Sequence, residues 1–329
     1  MALPDFFIAG VPKAGTTALH SALATHPALF MSPVKEPKFF LTDGPPPAEG
    51  GPGDAKTYRE HIWRRADYEA LFAGAPAGLL RGESTPFYLH NREAQGRIKA
   101  LVPDAKLIVV LRDPVERAHS NWTHLWSAGL EPVRDFLKAC ALEEARAEAG
   151  WAEFWRYTDL GKYGEQLRDL YTLFDRDQVL VVRYKDLLGQ SSQTLDRVCS
   201  LLGVPVGVLA DLPRENVTAH PRPGARHAAV SLGRRTSAAL TAFLPGHLGA
   251  GLTDPLEHLL QQDAAPRQPL TWQEREALLP QFETDIGLLE EVTGEDFSDW
   301  RRPRGASGGL VGARPAGQRQ ARNGRPRQY

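Results

Sequence analysis

The sequence predicts an α/β fold, a doubly wound and mostly parallel sheet closed by a helical C-terminal cap. Three observations predict it. Short apolar runs alternate with helical patterns through the first two thirds of the chain. One of those runs, Lys106–Leu111 (KLIVVL), is apolar on both faces, as a strand with helices on either side must be. The first run is followed at once by a loop bounded by Gly10 and Gly15 and then by an amphipathic helix, an order that makes the start of the fold P-loop-like.

The strands expected are residues 5–9, 79–83, 106–111 and 179–183, each a short apolar run. Helical periodicity fills the intervals at 15–25, 92–101, 115–127, 133–149, 163–174 and 193–202. Residues 43–54 (DGPPPAEGGPGD) hold too much proline and glycine for a helix or central strand, and they predict a mobile surface loop. After about residue 204 the strand signal fades into a helical cap with a proline-punctuated segment, HPRPGAR, at 220–226. Within the cap, residues 271–292 open with Thr271 three positions before Glu274, a capping-box pattern, and Pro280 predicts a kink or break. From Arg301 onward Gly, Arg, Pro and Ala recur without hydrophobic period, so one domain is expected over residues 3–300 and a disordered tail over 301–329.

With 329 residues, 42% of them hydrophobic, the chain is long enough to bury a sizeable core. The net charge of −1 hides an asymmetry: the tail carries eight arginines and no acid, which leaves residues 1–300 at −9. A body that acidic is a poor nucleic-acid binder. The two distant cysteines, Cys140 and Cys199, exclude a disulfide framework or a cysteine-based zinc site and fit a reducing compartment. No apolar run approaches the ~20 residues of a membrane span. The N-terminus lacks the basic start and long apolar stretch of a secretory signal, so a soluble cytoplasmic protein without membrane partners is expected.

The loop Gly10-Val11-Pro12-Lys13-Ala14-Gly15-Thr16-Thr17 is the most informative segment. Between a strand and a helix it directs backbone N–H groups and a helix N-terminus at one point, a favourable place for phosphate. Its glycines have Walker A spacing, but Thr16 stands where that motif needs lysine, and the lysine, Lys13, lies inside the loop. The segment PKAGTT resembles the 5′-phosphosulfate loop of sulfotransferases that use 3′-phosphoadenosine 5′-phosphosulfate (PAPS). That resemblance implies that Pro12, Lys13, Ala14, Gly15, Thr16 and Thr17 bind the donor, with Lys13 at the phosphate and the oxygen bridging to sulfur. Many cytosolic members of the family place an adenine-stacking tryptophan directly after the two threonines; Ala18 stands there, as in the carbohydrate-sulfating branch.

A second constellation follows KLIVVL, Arg112-Asp113-Pro114-Val115-Glu116-Arg117-Ala118-His119-Ser120. An arginine at a strand end and a serine about two helical turns on can face one site, a geometry suited to phosphate. Read blandly, Arg112 and Asp113 form an ion pair at the sheet edge. R-D-P-x-x-R-x-x-S is the family motif, and the resemblance implies that Arg112 and Ser120 grip the 3′-phosphate. Arg117 reads equally as phosphate contact or salt bridge. KLIVVL ends in Arg112 where a magnesium-dependent NTPase usually carries an acid, which argues against a metal.

Acceptor hydroxyls are poor nucleophiles and need a carboxylate within hydrogen-bond reach. Glu36, in Lys35-Glu36-Pro37-Lys38-Phe39-Phe40, is the candidate base. Its E-x-x-F-F context resembles the catalytic-base segment of heparan sulfate N- and 3-O-sulfotransferases, while the bland reading is a solvated charged turn. His119 and His124 are backups. The stretch 82–88 (GESTPFY) resembles the branch's G-E-K-x-P-x-Y, with Ser84 in place of a second catalytic lysine. Glu83 and Tyr88 either line the acceptor cleft or form a buried polar pair, and Gly161-Lys162-Tyr163 resembles a segment near the nucleotide. Arg222 and Arg226, in HPRPGAR, either close over the nucleotide or belong to a surface loop. The expectation is a sulfotransferase that uses PAPS without metal and acts on a carbohydrate, glycosylated or small-metabolite acceptor. The rivals are an ATP-dependent P-loop phosphotransferase and a non-enzymatic anion-binding scaffold.

Overall fold

In the computed structural model the described residues are 2–212, 220–221, 264–265 and 269–301. Arg222, Arg226 and the tail beyond Arg301 lie outside them. The strands β1 (Phe6–Gly10), β2 (Leu29–Met31), β3 (Leu80–Ser84), β4 (Lys106–Leu111) and β5 (Val179–Arg183) form one parallel sheet in the order β2-β3-β1-β4-β5. All of β1 is buried, and so is β4 apart from Lys106, because helices cover both faces. From β1 the chain passes to the edge strand β2 and back to β3, then crosses beyond β1 to β4 and outward to β5. The winding therefore reverses between β1 and β4, and a crevice opens at their carboxyl ends. This is the doubly wound α/β fold that the alternation of apolar runs predicts.

Two expectations need correction. The single helix expected over 133–149 is two, Phe136–Ala141 and Glu143–Glu148. Asp135 starts the first by accepting from the Lys138 N–H at 3.0 Å, and Leu142, with ψ near 1°, breaks the register between them. Periodicity detected the apolar face but not the break. Nor is the proline-glycine stretch 43–54 free at its end. Asp54 is buried and accepts from the N–H of Gly51 (2.6 Å), the N–H of Ala152 (2.8 Å) and the indole of Trp155 (2.9 Å). Gly51 packs so closely that a Cβ there would lie 2.6 Å from the Trp151 ring.

The C-terminal cap follows its sequence signals. Thr271 and Glu274 close a reciprocal capping box (2.8 and 3.2 Å) at the start of the helix Trp272–Leu278. Pro280 sits in a 3₁₀ turn, Leu279–Gln281, that separates this helix from Glu283–Thr293. Asp285 of the last helix accepts from the Gly164 and Glu165 N–H groups (2.9 and 3.0 Å), satisfying the start of the helix Tyr163–Leu170. Arg275 donates two bonds to Asp113, at 3.0 and 2.6 Å, and both side chains are buried. Asp113 also accepts from the Glu116 N–H (3.0 Å) at the start of the helix Pro114–Ser127. One buried carboxylate thus fixes the chain just beyond β4 to the cap.

Between β1 and β3 the packing leaves no space for a side chain at Gly82, where a Cβ would fall 2.2 Å from the Phe6 ring. Overpacking of this kind costs about 1–3 kcal/mol. Gly82→Ala should therefore lower the free energy of unfolding by at least that amount in chemical denaturation, with circular dichroism as the readout.

Candidate active site

The loop after β1 is shaped by its backbone. The Val11 N–H donates to the Val110 carbonyl of β4 (3.0 Å) and the Ala14 N–H to the Val11 carbonyl (3.3 Å), so the loop folds back over the sheet edge. Lys13 and Gly15 adopt left-handed φ angles of 69° and 84°. Gly15 is needed twice over, since a Cβ would also meet the Tyr184 ring at 3.0 Å. The helix α1 (Thr16–Leu23) starts with no side-chain cap and no acid in its first turn. Its N–H groups and dipole are therefore available to an anion.

Across the sheet switch, Arg112 leaves the end of β4. Its guanidinium donates to the Lys13 carbonyl (3.2 Å), lies 4.8 Å over the Tyr184 ring and stands 3.5 Å from Glu116. Its own carbonyl accepts from the buried Tyr163 hydroxyl (2.9 Å), which explains why Tyr163 follows the Gly161-Lys162 pair. Arg112 does not pair with Asp113, whose carboxylate is held by Arg275. Arg117 is fully buried and donates to the Asn121 side chain (3.0 Å) and the Tyr157 carbonyl, so its role is architectural.

A cleft of about 570 Å³ joins these parts. Pro12, Lys13, Gly15, Thr16, Thr17, Arg112 and Ser120 line it, and so does Glu36. Ala14 does not line the cleft; it is fully buried and its N–H is committed to the turn. Among the described residues, Lys13, Glu36 and Lys38 are the non-glycine residues with left-handed φ, at 69°, 60° and 61°, and all three line this cleft. Such conformations cost on the order of 1–3 kcal/mol each and gather at functional sites. The Glu36 turn is held in place by its N–H bond to the Ser84 carbonyl (2.9 Å), and its carboxylate pairs with Lys35 (2.7 Å).

Lys38 was read in the sequence only as part of a charged turn. It is 7% exposed, and burial lowers its pKa against the raising effect of Glu36 and Glu60. Tyr184, Phe87 and Phe154 also line the cleft without a sequence signal to mark them. Glu83 and Tyr88 resolve as a buried polar pair. Both are fully buried, and Glu83 accepts from the Tyr68 hydroxyl (2.9 Å), with burial raising its pKa to about 7. Ser84 is buried and bonded to His20 of α1 (2.8 Å). Of the backup bases, His119 packs edge-on against Phe136 outside the cleft, whereas His124 lines it. Burial, aided by the Lys13 charge, holds His124 down to a pKa of about 4, so it is neutral.

A loop and helix N-terminus on one strand, an arginine on its neighbour and a crevice at the winding reversal define a P-loop-like α/β domain built to hold a phosphorylated ligand. Comparison with known proteins carries the assignment further. The model of the sulfotransferase family matches residues 52–207, which include Arg112 and Ser120 but not the loop at Lys13. The chain is 32% identical over 203 residues to heparan sulfate glucosamine 3-O-sulfotransferase 3B1 of Mus musculus, covering 61% of this chain and 46% of that protein. It is 25% identical over 273 residues to carbohydrate sulfotransferase 15 of Homo sapiens, covering 68% and 47%. The chain thus spans about half the length of these curated relatives. The crystal structure of a sulfotransferase from Alicyclobacillus acidocaldarius superimposes with a TM-score of 0.71 and 27% identity, covering 92% of this chain and all of that one. The resemblance to the sulfotransferase family, first carried by PKAGTT and RDPVERAHS, is borne out, and so is the fold.

Three histidines around the cleft set a pH dependence of stability. Burial, with Lys38 assisting, holds His61 at about 4, beside His124 at about 4. Each binds its proton more tightly when unfolded, so stability falls as pH drops from 6.5 toward 4. Burial alone would lower the pKa of His90, but its bond to Asp159 (2.8 Å) and the Glu153 carboxylate 3.6 Å away prevail and hold it at about 9. Its contribution is full below 6.5 and is lost as pH rises through 9. Melting temperature should therefore peak between these limbs, and His90→Asn should flatten the alkaline limb in a thermal-shift series across pH.

Proposed function

We propose that this chain is a sulfotransferase that moves a sulfuryl group from PAPS to a hydroxyl of a carbohydrate, glycosylated or small-metabolite acceptor. The observation that carries the proposal is the convergence of two separate anion-binding elements, the Lys13 loop and the Arg112–Ser120 pair, on one cleft that a carboxylate, Glu36, also lines. A bisphosphate needs two such elements. The residues present fit it: α1 begins without a side-chain cap, and among the described residues the buried Arg112 Nε makes no hydrogen bond, with the Glu116 carboxylate 3.5 Å away. Relatives named as sulfotransferases of heparan sulfate and carbohydrate support the reaction class and the acceptor type.

The donor supplies an activated sulfuryl group on its 5′-phosphate. Lys13 and the N–H groups of Thr16 and Thr17 would hold that phosphate and stabilise the charge it gains as the S–O bond to it breaks. Arg112, oriented by Tyr163 and Tyr184, and Ser120 would hold the 3′-phosphate. Glu36 takes the acceptor's proton as the acceptor oxygen forms its bond to sulfur. Lys38 adds a second positive charge beside Glu36. A kinase reading is weaker, because Thr16 replaces the Walker lysine and β4 leads into Arg112.

Hydrogen bonds to charged groups contribute about 1.5–3 kcal/mol each. Adenosine 3′,5′-bisphosphate should therefore bind at least about tenfold tighter than AMP in calorimetry without added metal, and Arg112→Ala should erase most of the difference. Equal affinities would refute the proposal.

General-base removal typically costs about 10²–10⁴ in rate. Glu36→Gln should lose turnover on that scale and keep bisphosphate affinity, whereas Lys13→Ala should lose both. Turnover of Glu36→Gln within a few-fold of the parent would place the base elsewhere.

A further inference from the structure

The side of the cleft that faces the acceptor differs in chemistry from the side that faces phosphate. Pro52, Pro86, Phe87, Leu130 and Phe154 line it. Phe87 and Phe154 meet edge to face with ring centroids 5.8 Å apart, and His124 stands edge-on to Phe154 at 5.7 Å. His124 is neutral, so these three rings form an uncharged aromatic wall that reaches toward Lys13, the cation whose charge acts on His124.

Charge on this wall is sparse and balanced against an anionic guest. Among the described residues its ionisable groups besides His124 are Glu36, Asp54 and Lys38, two carboxyls and one amine. Asp54 is consumed by its three bonds to Gly51, Ala152 and Trp155. The charge of Lys38 is met by Glu36 and Glu60. Lys56 and Arg59 are exposed on the helix Asp54–Arg59 and do not line the cleft. Around it, residues 1–300 carry a formal charge of −9. Recognition of a sulfated or uronate-rich chain calls for an array of forked or point cations along the path of the ligand, and the described residues of this wall supply Lys38 alone. The cleft of about 570 Å³ must also admit the donor's phosphates and sulfuryl group, which limits how much of an acceptor it encloses beside the rings.

Resting on the sulfotransferase reading above, we infer that the acceptor is an uncharged alcohol that lays an apolar face, an aryl ring or the C–H face of a neutral sugar, against Phe87 and Phe154.

The test uses the full chain with labelled PAPS and two probe sets at matched concentration: neutral aryl glycosides and aryl alcohols, and an N-sulfated heparan oligosaccharide. The best neutral probe should show a kcat/KM at least about tenfold above the oligosaccharide. Its turnover should change less than about twofold between low and moderate salt, since no charge pairing is screened. Phe154→Ala should raise KM for the neutral probe about tenfold while bisphosphate affinity and melting temperature stay near the parent. Phe154→Leu, which keeps the volume, should fall between and guards against a folding defect. Preference for the oligosaccharide with steep loss in salt, indifference of both variants, or no transfer to any neutral probe while bisphosphate binds would overturn this inference alone. Absence of bisphosphate binding together with absence of transfer would overturn the sulfotransferase reading beneath it.

Discussion

The pairing of β1 with β4 is the constraint on which the site depends. Parallel register along Phe6–Ile8 and Lys106–Ile108 brings both strand ends to one edge of the sheet, and the Val11 bond to Val110 extends the contact into the loop. From that edge the chain leaves twice, once as the Lys13 turn and once as Arg112, and the guanidinium closes the gap by bonding the Lys13 carbonyl. Two anion-binding elements that lie 99 residues apart in sequence thereby share one cleft. A slip of one residue between these strands would turn their side chains to the opposite faces and separate the two elements.

Around this edge the protein holds three residues in left-handed conformations that their side chains disfavour. Surrounding contacts offset that cost. Glu36 is held by its N–H bond to Ser84, Lys38 by its N–H bond to Thr85 (3.3 Å), and Lys13 by the bond from Arg112. Behind Arg112 stands a chain of support that ends in the cap: Tyr163 bonds its carbonyl, Asp113 follows it, and Arg275 grips Asp113. A buried ion pair contributes little net stability, but removing one partner strands the other charge. The pair therefore serves to locate the residue after β4 rather than to strengthen the fold.

The parts legible in the sequence were those written in contiguous residues. KLIVVL declared a doubly covered strand, the turn from Gly10 to Thr17 declared its place between strand and helix, and Thr271 with Glu274 declared a helix start. Each is fixed by interactions within a few residues of itself. Lys38 was not legible, because K-E-P-K looks like a solvated turn until the fold buries it, its N–H bonded to Thr85 just before the 3₁₀ turn Phe39–Leu41. Tyr184 was not legible either, since it stacks under an arginine 72 positions away in sequence. The break at Leu142 was missed because apolar spacing continues across it while the backbone does not.

The same distinction separates the two halves of the cleft. Phosphate-facing residues come from two short motifs locked to adjacent strands. Acceptor-facing residues come from four separate segments, around Pro52, Phe87, Leu130 and Phe154, which only tertiary packing brings together. Asp54 joins two of them by accepting from Gly51, Ala152 and Trp155. Glu131, just beyond Leu130, joins a third by accepting two bonds from Arg146, whose guanidinium also lies over Trp151 and Trp155. Glu131 does not line the cleft, and Asp54, which does, is occupied by its three bonds, so the two hubs place these segments without using Phe87, Leu130 or Phe154. On the proposed reading, donor binding would depend on the sheet edge, whereas the acceptor would meet segments that only tertiary packing assembles.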